Sequence, residues 1–216
     1  MWKALAIKEL RESAGIVVLA VLGAVYVLGE LTGTPVFSWR GHGLYGYPFV
    51  SDGLGSYFWA LCGALAVALG FRQTAWELQQ GTYFFLLHRP FERSHIFATK
   101  LAIGVALVLT FSAGFILFYA LWAATPGHVP APFDWRMTLA AWANWTALPL
   151  LYIGAFLSGI RPGRWFGSRL APMAAAIGFT ALADYSPWLW GTVCVSLTGI
   201  AFGLLSIFYY VRARDF

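Results

Sequence analysis

Six stretches of this chain contain no Asp, Glu, Lys or Arg, and they constrain its fold more than any other feature: Ser13–Gly29, Gly53–Phe71, Leu101–Phe133, Met137–Ile160, Leu170–Ala183 and Tyr185–Val211. A helix crosses the hydrocarbon of a bilayer with about 20 mostly apolar residues, and every backbone polar group must be paired within the segment because no water is available. Five runs meet that length once flanking residues and tilt are allowed. Leu170–Ala183 has 14 residues, which leaves a re-entrant segment open. Charged residues make up 11% of the chain and hydrophobic ones 60%, against about a quarter charged in soluble domains. The expected fold class is an all-α polytopic membrane protein, a single domain over residues 1–216.

Charge bias orients the spans. With six crossings and the N-terminus inside, 12 of the 14 basic residues fall on the cytoplasmic side, and only Arg40 and Arg136 lie outside. That is the split the positive-inside rule predicts. If the fifth run did not cross, Arg212 and Arg214 would move outside, so six transmembrane helices with both termini cytoplasmic is the better reading. The basic residues sit at the ends of apolar runs, which argues against nucleic acid despite a net charge of +5.

Several chemistries lack their residues. No G-x-x-x-x-G-K-[ST] phosphate loop occurs, so the chain has no ATPase site of that kind. No H-E-x-x-H occurs, and His42, His88, His95 and His128 fall in loops or at a span edge, so no metal site is expected. No histidine lies deep enough to pair with Ser158 in a membrane hydrolase, and no catalytic residue is assigned. Cys62 and Cys194 read as small apolar packing residues. Glu30 and Asp184 read as solvated charges at span ends.

Residues 1–12 carry Trp2, Leu5, Ala6 and Leu10 on one helical side and Lys8, Arg11 and Glu12 on another, the pattern of an N-terminal interfacial helix. The first outer loop, Thr32–Asp52, is rich in Gly, Pro and aromatics, which suits a segment resting on the outer leaflet. Pro149 predicts a kink in the fourth span, and Pro172 suits the first turn of the fifth. Gly199 and Gly203 on the sixth span, and Ala60, Ala64 and Ala68 on the second, have the four-residue spacing that lets helices approach closely in lipid. Such contacts serve packing within one chain or between subunits.

Arg72–Lys100 holds Arg72, Arg89, Arg93 and Lys100 in a chain with few charges. Arg72 to Arg89 is 18 residues, whereas helix–helix connections usually take about 2–8. It also carries Trp76, Leu78, Tyr83, Phe84, Phe85, Leu86 and Leu87, too apolar for a free loop. A short helix docked on a partner would bury them, with Gly81 allowing a break and Arg89-Pro90 stopping the helix.

The pattern Glu77-x3-Gly81-Thr82-x3-Leu86-Leu87-x-Arg89-Pro90-x2-Arg93-x2-Ile96-x3-Lys100 resembles the first inner loop of membrane permease subunits of type 2 ABC exporters. The opening Lys8-Glu9-Leu10-Arg11-Glu12 and the plan of six spans after an interfacial helix are similar as well. The resemblance implies the transmembrane subunit of an ATP-driven ABC transporter, an exporter in a bacterial cell membrane. Loop 72–94 would be a cytoplasmic coupling loop whose helix seats in a separate ABC-type ATP-binding subunit, through Glu77, Gly81, Thr82, Arg89, Pro90 and Arg93. ATP and Mg would be held by that subunit, and a second permease subunit, identical or paralogous, would complete the path among membrane lipid. The alternative of another class is a non-transporting membrane scaffold or assembly factor that recruits a soluble partner through the same loop. A lipid-modifying membrane enzyme is disfavoured, because no convergent polar residues are expected within the spans.

Overall fold

The computed structural model describes residues 2–33, 47–51, 53–80, 93–128, 132–161, 163 and 168–213. Among these, every regular element is helical. In chain order they are α1 (Trp2–Leu31), α2 (Leu54–Phe71), α3 (Arg93–Ala124), α4 (Leu139–Trp145), α5 (Leu148–Ile160), α6 (Ala171–Asp184) and α7 (Leu189–Ala213). α2 runs on through a π-helical turn, Arg72–Trp76, into a last α-turn, Glu77–Gln79. A 3₁₀ turn, Trp135–Thr138, leads into α4.

Five helical stretches are long and apolar enough to cross a membrane: Lys3–Leu31, Leu54–Gln79, His95–Ala124, Trp135–Ile160 and Leu189–Arg212. α6 has 14 residues, a rise of about 21 Å against about 30 Å of hydrocarbon. Polar contacts nevertheless tie its two ends to opposite ends of its neighbours. Arg169, just before α6, donates to the carbonyls of Ser158 and Gly159 at 3.2 Å each. At the far end Asp184 accepts from Trp59 Nε1 at 3.2 Å and Asn144 Nδ2 at 3.1 Å. Asp184 is thus an exposed boundary charge, as its position suggests, but one held by two donors.

Helix α5 is the hub. Every side chain from Leu148 to Ile160 is buried, while α1, α3 and α7 turn large apolar side chains such as Leu19, Leu22, Phe118, Leu121, Phe202 and Leu205 outward. In lipid, apolar character alone gives helices no reason to associate, so close approach decides which helix becomes central. Gly159 shows how close: a Cβ there would lie 1.8 Å from Thr74 Oγ1 on the π turn. Gly199 and Gly203 are used in the same way within the chain. A Cβ on Gly199 would meet Leu150 at 2.6 Å, and one on Gly203 would meet Ile153 at 2.5 Å. Ala60 and Ala64 face outward instead.

Pro149 lies in a first turn and not at a kink inside a continuous helix. Thr146 and Ala147 form a turn between α4 and α5, and Pro149 occupies the first turn of α5, where its missing N–H costs nothing. Pro172 has the same place in α6. Cys62 is buried, whereas Cys194 is exposed on α7 rather than packed inside.

Two expectations are corrected. Residues 1–12 do not form a separate interfacial helix: residues 2–12 are the first turns of the 30-residue α1, with no break after them. The reason is that Glu9 is buried and, with Lys8 and Glu12, pairs with the following helices rather than with headgroups. Nor does Arg72 open a loop. Gln73, Thr74, Ala75 and Glu77 are buried, so their side chains keep α2 helical to Gln79.

The bundle has two unlike ends. At one, aromatic rings meet: Phe49, in a left-handed conformation at φ 65°, packs on Tyr119 at 5.1 Å between centroids, and Tyr119 stacks on Trp122. Residues 34–46 and 52, most of the segment expected to be the first outer loop, lie outside the described residues. At the other end the charges collect. The start of α1 lies there, and so does the end of α7, where the Tyr210 hydroxyl accepts from Arg161 Nε at 2.8 Å.

Candidate functional site

The site is a buried ionic cluster at the charged end, assembled from α1, α2 and α3. Helical spacing places Lys8, Glu9 and Glu12 on the side of α1 that meets the other two helices. The π turn and last α-turn of α2 present Arg72, Gln73 and Glu77. α3 presents Lys100, two turns after its start.

Lys100 Nζ donates to Glu9 Oε1 at 2.8 Å and to Glu77 Oε1 at 2.6 Å. All three side chains are nearly inaccessible, at 1%, 1% and 3% exposure. Lys8 Nζ reaches the same Glu77 oxygen at 3.2 Å and lies 3.5 Å from Glu12. Arg72 stands 3.8 Å from Glu12. Among the described residues three carboxylates therefore face three cations, and their formal charges balance. That balance is what burial requires. A lone charge in such a place carries a desolvation cost of several kcal/mol, and only close partners offset it.

A second polar layer adjoins the first. The Tyr152 hydroxyl of α5 donates to Gln73 Oε1 and approaches the Lys100 carbonyl at 3.2 Å. Its ring is admitted by Gly104 of α3, where a Cβ would lie 2.2 Å from the hydroxyl oxygen. Gln73 Nε2 and Ser13 Oγ are buried with no hydrogen-bond partner among the described residues. Ser13 is one turn beyond Glu9 and Gln73 one turn before Glu77, so the polar region extends a turn into the bundle. Beyond it come Leu65, Leu69, Val108, Ile116 and Phe156 of the apolar core.

Chemically, this arrangement holds and positions. The two most buried carboxylates are both engaged by ammonium groups. The cluster instead joins three helices at one point, and two of its members, Glu77 and Lys100, flank residues 81–92 in sequence. Burial lowers the Arg169 guanidinium from its ordinary range.

Comparison with known protein families, characterised proteins and solved structures found no match to this chain.

The residues expected to face a partner fall into two groups. Gly81, Thr82, Arg89 and Pro90 lie outside the described residues, and Arg93 is described only as the first backbone position of α3. Glu77 is described, and its side chain points into this chain, against Lys100 and Lys8. The absence of convergent polar residues within the helices is corrected as well: Glu9, Gln73, Glu77, Lys100 and Tyr152 converge. Glu9, Gln73 and Tyr152 carried no signal as site residues on their own. The one available clue was spacing, since Gln73 precedes Glu77, and Ser13 follows Glu9, by a single helical turn.

Proposed function

We propose that this chain is the transmembrane subunit of an ATP-driven ABC exporter, coupled to a separate ATP-binding subunit through residues 81–93 and forming the translocation path with a second permease subunit. The observation that carries the reading is the Glu9–Lys100–Glu77 cluster at the base of that segment. A coupling element must pass displacement to the spans without dissipating it in a soft hinge. Here Glu77, before the segment, and Lys100, after it, meet at one buried, hydrogen-bonded point that also grips α1.

In this mechanism Arg89, Thr82 and Arg93 belong to the surface that meets the ATPase, and Glu77 has a different task. It is a positioning residue that locks the end of α2 to α3. ATP closing the partner dimer draws the two segments together, and the three-helix unit follows as a block. Switching access between the two faces needs a few kcal/mol of differential binding between states, and two ATP sites supply it. Six crossings are supported by the contacts that tie α6 to both ends of its neighbours. They are also supported by the placement of the α1 start and the α7 end at one end of the bundle.

The test is isolation of the complex in mild detergent. A P-loop ATPase at one copy per permease chain is expected, and Arg89→Glu should release it while the membrane chain stays folded. An intact crosslinked complex without any ATPase would overturn the transporter reading in favour of a scaffold.

A further inference from the structure

We infer that the outer face of α2 at the charged end holds one phospholipid, gripped by its phosphate. This rests on membrane insertion alone and is independent of the ATP-driven reading. A groove of about 560 Å³ opens there between α1 and α2. Its apolar lining is Ile16 of α1 with Ala68, Phe71 and Ala75 of α2 and the π turn. Arg72, Trp76 and Gln79 complete the lining.

Depth places the two parts against matching parts of a lipid. About 20 helical residues cross the hydrocarbon, so a span that begins at Leu54 leaves it near Gln73. Ile16, Ala68 and Phe71 then lie at acyl-chain depth, and Arg72, Trp76 and Gln79 at headgroup depth. Trp76 is half exposed and carries the Arg72 guanidinium over its ring, 5.7 Å from the centroid. An indole at the interface with a cation stacked on it pre-orders the arginine fork.

Arg72 has donors to spare. Its carboxylate partner, Glu12, is 3.8 Å away and is shared with Lys8 at 3.5 Å. A guanidinium offers five N–H groups and binds phosphate oxygens in pairs. The phosphodiester is the anion a bilayer presents at that depth, which is why a lipid fits the groove better than an apolar helix from a second copy. The π turn, Arg72–Trp76, coincides with the groove, and such turns recur at functional sites.

The test is native mass spectrometry of the purified full chain with dioleoyl phosphatidylglycerol. Dioleoylglycerol, with the same chains and no phosphate, serves as the control. One phosphatidylglycerol per chain should be retained, with the control held about tenfold more weakly, the cost of losing roughly 1.4 kcal/mol. Arg72→Gln should reduce retention by a similar factor. Ala68→Phe should abolish it by filling the groove while leaving Arg72 and the ionic cluster in place. Equal retention by the wild type and both variants would overturn the proposal. So would displacement of the lipid by inorganic phosphate alone, which would mark a bare anion site. A dimer that Ala68→Phe dissociates without changing lipid retention would assign the groove to a second copy.

Discussion

Lys100 is the residue on which the charged end depends. Its ammonium lies inside the bundle, and its two carboxylate partners, Glu9 and Glu77, are buried with it. Such a network gives little net stability compared with a well-packed apolar core, but removing one member leaves charges with no compensation. Replacing Lys100 by Met should therefore cost roughly 3–5 kcal/mol, read as a lowered unfolding midpoint in detergent. The cost should shrink in the combination Glu9→Gln, Glu77→Gln, Lys100→Met, because no buried charge is then left alone. Lys8, a third exposed, can turn to water when its partners go. A triple variant no more stable than Lys100→Met would mean that the cluster acts through packing and not through charge.

At the scale of elements, the contact of α5 with the π turn of α2 leaves no room for an added methyl at Gly159. A methyl on Gly159 would collide with Thr74 Oγ1, which is itself held by a 2.7 Å bond to the Gly70 carbonyl. Gly159→Ala should destabilise the bundle by about 1–3 kcal/mol, and adding Thr74→Ala should recover part of that loss. Gly114 on α3 has no atom within 4 Å of its would-be Cβ. Gly114→Ala should therefore leave the unfolding midpoint unchanged or raised, since alanine favours helix by about 1 kcal/mol. Equal losses at the two glycines would remove close approach as the explanation. The helices themselves were legible in the sequence, because span length and prolines act locally: Pro149 and Pro172 sit in first turns as their chemistry demands. The identity of the central helix was not. Gly154 and Gly159 of α5 are indistinguishable in sequence from Gly114, where an added Cβ would meet nothing within 4 Å. The pairing of Lys100 with Glu9 spans 91 positions and leaves no local pattern. The charge at Arg72 misled for a related reason: a cation ends a membrane helix only when nothing in the protein is placed to receive it.

For the molecule as a whole, the question is whether α6 counts as a crossing, and its length alone gives the wrong emphasis. Fourteen residues fall short of a free span in lipid, but this helix is flanked by α5 and α7 and need only cover the depth they share. Arg169 anchors its start to Ser158 and Gly159, and Asp184 anchors its end to Trp59 and Asn144. Both anchors meet backbone or side chains of neighbouring helices, so polar groups are satisfied at each end without the helix having to reach bulk water unaided. With an even number of crossings the start of α1 and the end of α7 would share one side, and the positive-inside rule would make that side cytoplasmic. Reporter fusions in a bacterial host check this directly. Alkaline phosphatase, active only outside the cytoplasm, should be active when fused after Ser186 and inactive at the C-terminus, and a green fluorescent fusion at the C-terminus should be bright. If α6 only dips into the membrane and returns, the two phosphatase results exchange. The contacts of Asp184 would then have to be made from within the bilayer, and the side on which residues 81–93 meet a partner would have to be argued without the end of α7.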